Sequence, residues 1–355
     1  MNVPEDIKSK TLPELQEAVR ELGLPAFRAG QIYRWLHQSG VASFDEMTNL
    51  SKELRARLAE RYTIASAAIA RKQTSQIDGT AKYLLRLPDG EYVECVLMEY
   101  RHGLSICIST QVGCRMGCAF CATGKSGYAR DMTASEMLSE VQTVQRDAGR
   151  RISNIVLMGM GEPLDNYDNV LRFLRLVSSE EGTNIGMRHI SLSTCGLVDR
   201  IYQLEKENLQ LTLSVSLHAP NDEIRSRTMP INKKWNVETL LKACRSYAAS
   251  TGRRISFEYA MISGVNDSDA CARELASRLE GMLCHVNLIP VNDVTGNSFH
   301  KSPAERQQRF IAILEKKGIP ATVRRTLGSD IDASCGQLRR RMEEEESAYA
   351  ALRDE

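Results

Sequence analysis

Strand-like and helix-like segments alternate along most of this chain, from residue 104 onward. The candidate strands are apolar runs at 104–110, 154–161, 189–196, 209–218, 254–262 and 285–292. Amphipathic helical stretches accompany them at 133–147, 168–178, 237–251, 268–280 and 303–317. Repeated β/α units form a parallel sheet with helices packed outside it. Six such units fall short of the eight in a complete barrel, so we predict an α/β fold with a (βα)6 partial barrel; an open doubly wound sheet is the alternative.

Two shorter regions precede the β/α series. Leu12, Leu15 and Val19 have helical spacing after a candidate N-cap at Thr11, which predicts a helical accessory domain, either structural or RNA-docking. Alternating polarity around a turn at 88–90 predicts strands. The predicted division is an accessory domain over 1–70, a short β-rich bridge over 71–100, the barrel over 101–338 and a charged C-terminal tail over 339–355.

Composition argues against several classes of protein. Ten cysteines in 355 residues are too dilute for a disulfide scaffold, and the N-terminal segment has no apolar run typical of a secretory signal. No stretch approaches the roughly 18 apolar residues of a membrane span. We therefore expect a cytoplasmic protein with reduced thiols. The formal net charge of +1 argues weakly against a mainly electrostatic nucleic-acid binder, although a neutral total can contain local basic patches.

Three cysteines, Cys114, Cys118 and Cys121, follow the first strand of the series with C-x3-C-x2-C spacing. Thiolates select zinc or iron–sulfur clusters, and structural zinc is closed by four ligands. No Cys or His follows this triplet within the next sixty residues. A 4Fe–4S cluster held by three thiolates leaves one iron open to a small molecule. The spacing therefore favours such a cluster, with zinc or three unrelated thiols as the alternatives.

With an aromatic residue before its last cysteine, this motif resembles the signature of the radical S-adenosylmethionine (SAM) enzymes. In that family SAM chelates the open iron, and one electron from the cluster cleaves SAM to a 5′-deoxyadenosyl radical; the family fold is a (βα)6 partial barrel. The resemblance assigns Gly161 and Glu162, in a GEP motif, to the SAM amino group. It assigns residues near later strand ends to further SAM contacts, namely Ser193, Ser216, Leu217, His218 and Asn292. A satisfied core histidine is the alternative for His218.

The rest of the chain resembles one branch of these enzymes, the RlmN/Cfr RNA methyltransferases. The segments that carry the resemblance include CISTQVGC, FCATG, MGMGEP, HVNLIPVN and DIDASCGQL. The resemblance implies that Cys335 becomes an S-methyl intermediate, that Cys107 is the second essential cysteine and that Glu94 is the proton acceptor. Without it, Cys107 would be interpreted as a core residue, and a buried small hydrophobe would be the alternative for Cys335.

The activity implied by this resemblance is methylation of carbon 2 of an adenosine in 23S ribosomal RNA and of the adenosine 3′ of the anticodon in some tRNAs. The implied route uses two SAM molecules per turnover, a protein–RNA adduct and a transient Cys107–Cys335 disulfide. The implied partners are rRNA, tRNA and a reductant such as flavodoxin or ferredoxin, and we expect a monomer. The alternative is a Cfr-type enzyme that methylates adenine carbon 8 and confers antibiotic resistance; residues 107–124 look more like the carbon-2 branch.

Overall fold

The computed structural model describes residues 5–125, 127–291 and 299–331 of the 355-residue chain. The described helices are α1 Leu12–Glu21, α2 Phe27–Arg34, α3 Lys52–Arg61, α4 Ala122–Lys125, α5 Ala134–Ala148, α6 Tyr167–Ser178, α7 Val198–Lys206, α8 Asp222–Thr228, α9 Val237–Thr251, α10 Asp269–Leu279 and α11 Ala304–Glu315. The described strands are β1 Glu5–Asp6, β2 Tyr62–Thr63, β3 Ala68–Thr74, β4 Ala81–Arg86, β5 Tyr92–Tyr100, β6 Gly103–Cys107, β7 Gln111–Gly113, β8 Tyr128–Asp131, β9 Ile152–Leu157, β10 Ile190–Thr194, β11 Thr212–Ser216, β12 Ile255–Met261, β13 Cys284–Pro290 and β14 Ala321–Val323.

One ten-stranded sheet organises the molecule, in the order β14-β13-β12-β11-β10-β9-β6-β5-β4-β3. From β14 to β6 all neighbours are parallel, and β5, β4 and β3 extend the sheet with antiparallel pairing. The parallel strands follow chain order without reversal, whereas a doubly wound sheet reverses its order at a switch point. The six predicted strands are therefore confirmed in a singly wound arrangement, and β14 adds a seventh parallel strand that the sequence analysis does not predict.

The five predicted helices correspond to α5, α6, α9, α10 and α11, with every end within two residues of the predicted one. Helix α5 shows why the ends of these helices can be predicted from the sequence. Thr133 and Glu136 form a capping box at its start, and Gly149 ends it in the left-handed region with φ 62°. Among the described residues, no helix is both long and apolar enough to cross a membrane.

The N-terminal helices pack against the first helix of the barrel. Helix α1 begins at Thr11, whose N–H donates to the Glu14 carboxylate at 2.7 Å. Its apolar face buries Leu15 among the other helices. The Gln142 side chain on α5 donates to the Leu36 carbonyl at 2.8 Å, and both residues are buried. Helices α1 to α3 therefore share one hydrophobic core with the barrel.

Gly159 lies where the chain leaving β9 passes the backbone that follows β6. A Cβ atom at this position would lie 2.5 Å from the Ile108 carbonyl oxygen and 2.8 Å from the Ser109 nitrogen. Because both are backbone atoms, we expect Gly159→Ala to lower the free energy of unfolding by ~1–3 kcal/mol. Thermal and urea denaturation followed by circular dichroism would measure this change.

Gly30 in α2 provides the control for this prediction, since no atom lies within 4 Å of a Cβ added there. We expect Gly30→Ala to stabilise the protein by up to about 1 kcal/mol, because alanine is the better helix former. Equal stability of Gly159→Ala and the parent protein would contradict the close approach of the two backbones.

Candidate active site

A cavity of about 410 Å³ lies at the carboxyl ends of the parallel strands, the end at which barrel enzymes place their active sites. Ten of the residues singled out from the sequence line it: Glu94, Cys107, Cys114, Cys118, Cys121, Gly161, Glu162, Ser193, Ser216 and His218. Leu217 instead lies fully buried in the hydrophobic core. Asn292 and Cys335 lie outside the described residues.

The cysteine loop runs from β7 to α4 and is fixed at several points. Gly113, at its start, adopts φ 82°, a conformation that favours glycine. In the middle, the Ala119 N–H donates to the Thr228 carbonyl at 2.9 Å, which ties the loop to the end of α8. The Cys121 N–H donates to the Cys118 carbonyl at 3.1 Å and closes a turn. The backbone therefore holds the three thiols of the motif at one cavity.

These thiols suit an iron–sulfur cluster better than a zinc ion. Structural zinc is bound by four ligands, and the loop supplies three thiols. Burial raises the pKa of Cys114 and Cys118 to about 12. Thiolate ligands at these positions therefore need the positive charge of a metal centre beside them. A 4Fe–4S cluster that takes three protein thiolates fits the three thiols that line this cavity.

Glu162 presents a carboxylate that backbone donors hold in place. Its Oε2 accepts a hydrogen bond from the Cys195 N–H at 2.7 Å, and its Oε1 accepts one from the Leu164 N–H at 3.0 Å. Burial raises the pKa of Glu162, and these two N–H donors oppose that rise. The Glu162 N–H donates to the Gln111 side chain at 2.8 Å, and Gly161 passes Gln111 with φ 102°. Oxygen acceptors of this kind suit an ammonium group.

His218 is both satisfied by the backbone and exposed to the cavity. Its Nδ1 accepts a hydrogen bond from the Ala260 N–H at 2.9 Å, so the other ring nitrogen carries the proton. Burial lowers the pKa of His218 to about 3, with a smaller contribution from Arg225, so the ring is neutral. Phe120 of the cysteine motif meets the ring edge-on with centroids 4.7 Å apart. The two interpretations of His218 from the sequence are thus compatible.

Arg225 joins two strand ends of the site and is absent from the sequence analysis. Its guanidinium is fully buried and donates to the carbonyls of Cys195, Ser216 and Leu217 at 2.6, 3.2 and 3.2 Å. These carbonyls follow β10 and β11, whose ends carry Ser193 and Ser216 into the cavity wall. In the sequence Arg225 lies in a polar stretch, DEIRSR, and has the pattern of an exposed helix residue.

The register of β5 and β6 places Glu94 and Cys107 on the same face of the sheet. Cys107 pairs with Val96, and Glu94 lies two residues before Val96 on the same strand. Side chains alternate along a strand, so all three point toward the cavity that they line. On β4, Lys82 pairs with Val96 and places its Nζ 3.0 Å from Glu94 Oε2. A lysine inside the apolar run AKYLL is the sequence signal that could have indicated a buried ion pair here.

The surroundings of Cys107 keep its thiol protonated in the free protein. Burial raises the pKa of Cys107 to about 11, and Arg324 together with the Met158 N–H opposes that rise. Arg324 also lines the cavity, and one of its nitrogens lies 3.9 Å from Met158 Sδ. Arg324 therefore provides a positive charge that favours the thiolate form of Cys107.

The singly wound sheet, the three-thiol loop and the glycine-glutamate turn define a radical SAM enzyme. Residues 108–273 match the family described as the radical SAM superfamily. Residues 6–64 match the family described as the ribosomal RNA large subunit methyltransferase N-terminal domain. Membership of the radical SAM superfamily implies a 4Fe–4S cluster and SAM as cofactors.

Full-length relatives identify the branch. The chain is 54% identical over 330 residues to a probable dual-specificity RNA methyltransferase RlmN of Desulforamulus reducens, covering 93% of this chain and 94% of that protein. It is 53% identical over 336 residues to the protein of the same name from Alkaliphilus oremlandii, covering 95% and 98%. A crystal structure of a radical SAM methyltransferase from Sphaerobacter thermophilus superposes with a TM-score of 0.89 at 47% identity, covering 94% and 99%. The chain belongs to the RlmN family and is a radical SAM RNA methyltransferase.

Replacing Arg225 by methionine tests whether its hydrogen bonds hold the ends of β10 and β11 together. Arg225→Met leaves three buried carbonyls without their donor, so we expect the free energy of unfolding to fall by about 3 kcal/mol or more. Arg227→Met, two residues along the same helix, removes an exposed arginine paired with Glu223 and should change stability by less than about 0.5 kcal/mol. Chemical denaturation of both variants measures the difference, and equal stabilities would refute the role of Arg225.

Alkylation of Cys107 tests its electrostatic environment. Because only the thiolate reacts and the pKa of Cys107 is about 11, the rate with iodoacetamide should rise about tenfold per pH unit up to that pKa. Arg324→Met should raise the pKa of Cys107 further and slow alkylation at pH 8 by about threefold or more. Peptide mass spectrometry reports the modified cysteine, and Arg325→Met is the neighbouring control. An unchanged rate in Arg324→Met would show that Arg324 does not act on this thiol.

Proposed function

We propose that this enzyme methylates carbon 2 of an adenosine in 23S rRNA and of the adenosine 3′ of the anticodon in some tRNAs. The observation that supports this most is the common face of Glu94 and Cys107 in a cavity that the three-thiol loop also lines. An adenine carbon that bears hydrogen is not a nucleophile, so direct displacement from SAM fails there. A thiol, a proton acceptor and a radical source have to meet at that carbon. The name of the relatives, dual-specificity RNA methyltransferase, supports two kinds of RNA substrate.

The cofactors would occupy two neighbouring parts of the cavity. Cys114, Cys118 and Cys121 would hold one 4Fe–4S cluster, with SAM on its open iron. The SAM molecule would be held by Gly161, Glu162, Ser193, Ser216 and His218, together with Leu217 and Asn292. When bound, the cluster and SAM supply the 5′-deoxyadenosyl radical. Two SAM molecules are consumed per turnover, one for the methyl group and one for the radical.

The protein's own residues then perform the group transfer. The Cys335 thiolate takes the methyl of the first SAM by displacement. After one hydrogen is removed from that methyl, its carbon joins the adenine carbon and links protein to RNA. Glu94 accepts the ring proton. The Cys107 thiolate attacks the Cys335 sulfur, and the carbon–sulfur bond breaks with its electron pair going to the carbon. That carbon takes up a proton and becomes the methyl group of the released base, and a reductant reopens the Cys107–Cys335 disulfide that remains.

The RNA would present its target adenosine flipped out of the stack, because the reacting carbon has to reach the cavity. Residues 1–70 would dock the RNA, since residues 6–64 match the ribosomal RNA large subunit methyltransferase N-terminal domain. We place the reaction in the cytoplasm, where ribosomal and transfer RNA are found. The enzyme would act as a monomer and receive electrons from flavodoxin or ferredoxin.

The regiochemistry can be tested with anaerobically reconstituted enzyme, SAM, dithionite and unmodified 23S rRNA or tRNA. We expect 5′-deoxyadenosine and 2-methyladenosine when the digested RNA is analysed by mass spectrometry. Formation of 8-methyladenosine instead would assign the Cfr-type reaction. Absence of 5′-deoxyadenosine with either RNA would overturn the enzymatic proposal.

The role of Cys107 has a separate test. Cys107→Ala should accumulate covalent protein–RNA adduct, because the proposed attack that releases the base has lost its nucleophile. Cys271→Ala, on α10, is the matched control and should release methylated RNA normally. A Cys107→Ala enzyme that forms no adduct would contradict the assigned pair of cysteines.

A further inference from the structure

A buried ion pair lies at the wall of the cavity, on the strands of the bridge. Lys82 Nζ is 3.0 Å from Glu94 Oε2, and the two side chains are 0% and 2% exposed. Glu94 lines the cavity from β5, while Lys82 lies on β4, one strand further from the barrel. Lys82 can therefore influence a bound RNA through Glu94 rather than by contact.

The positive charge at this place in the sheet comes from a lysine, although burying an ammonium group is costly. Two apolar side chains of similar volume would fill the same space without the free-energy cost of removing charges from water. Replacing a buried ion pair in this way is often neutral or stabilising. Among the described residues, the titratable groups near β5 include Cys95, on the opposite face of the strand from Glu94, Cys107 on β6 and Glu140 on α5. They are thiols or a carboxyl, so none of the three supplies a positive charge. Arg324 contributes its charge from the end of β14.

We propose that Lys82 is a positioning residue that holds the Glu94 carboxylate at the cavity wall and aims it at the reacting carbon. The proposal rests on the role of Glu94 as proton acceptor in the proposed function. The ion pair with Lys82 restricts the orientation of the Glu94 carboxylate at the wall of the cavity.

The proton transfer balances when the electron of the adduct is counted. Addition of the methylene radical leaves one unpaired electron on the adenine ring. The ring C–H bond breaks, its electron pair stays in the ring, the proton moves to a Glu94 oxygen, and the unpaired electron would return to the iron–sulfur centre that supplied it. Water then takes the proton from the Glu94 carboxyl group. Glu94 returns to the carboxylate form for the next turnover.

A single-turnover experiment separates this role from binding and from radical formation. Enzyme already methylated on Cys335 is mixed anaerobically with RNA, SAM and dithionite, and 5′-deoxyadenosine, methyladenosine and protein–RNA adduct are measured. In Lys82→Met we expect 5′-deoxyadenosine to form as in the parent, while methyladenosine per 5′-deoxyadenosine falls roughly tenfold or more because the base is impaired. The protein–RNA adduct should increase by the amount that methyladenosine decreases.

Two further variants separate positioning from packing. Lys82→Arg keeps the positive charge and should restore the product ratio to within about threefold of the parent. Lys72→Met removes a lysine of the same bridge, whose Nζ lies 2.6 Å from Asp147 at the protein surface, and should leave the ratio unchanged. A normal ratio in Lys82→Met, or failure of Lys82→Arg to restore it, would overturn the proposal.

A double variant keeps the test decisive even where Lys82→Met folds poorly. Lys82→Met/Glu94→Gln removes both charges, so no lone ion remains buried. If Lys82 acts through Glu94, the product ratio of this variant equals that of Glu94→Gln alone. A further loss in the double variant would overturn the proposal. A parent-like ratio in Glu94→Gln, by contrast, would refute Glu94 as the proton acceptor and with it the proposed route.

Discussion

The backbone hydrogen bonds on the two sides of β6 determine the rest of the active site. β6 pairs with β5 in antiparallel register and with β9 in parallel register, so the bridge and the barrel form one sheet. A slip of one residue between β5 and β6 would turn Glu94 or Cys107 to the opposite face. With the register observed, both face the cavity that receives the cysteine loop from β7. Strand pairing, rather than proximity in the sequence, thus brings Glu94, Cys107 and the cysteine loop to one cavity.

Local periodicity was sufficient to predict the parallel strands and the helices over them, because apolar runs and amphipathic faces are properties of short segments. It could not identify β14, whose three residues are too few to form a pattern. Gln111, Arg225 and Lys82 were also missed, since each is a polar residue whose burial depends on partners in other elements. Motif resemblance singled out the residues of the cavity, whereas the polar groups that hold them became visible only in three dimensions.

Those polar groups share one physical logic. Burying a charge costs free energy unless hydrogen bonds or an opposite charge compensate it. Backbone N–H groups compensate Glu162, and backbone carbonyls compensate Arg225. Because most of the compensating groups lie at the ends of β10 and β11, the same hydrogen bonds that compensate the charges also fix the geometry of the cavity. The stability of the fold and the arrangement of the site are therefore coupled, and a substitution at either charge affects both.

The segment after β14 extends this coupling to the two edges of the sheet. β14 and β3 are the edge strands, and the chain beyond β14 reaches the turn between β3 and β4. There the Gly328 N–H donates to Asp78 Oδ2 at 2.9 Å, and the Asp330 carboxylate accepts from Ser75 Oγ at 2.6 Å. Asp330 precedes Cys335 by five residues. A short tether raises the effective concentration of the group it carries. The bridge that holds Lys82 and Glu94 thus also anchors the chain leading to the thiol that the proposed route requires.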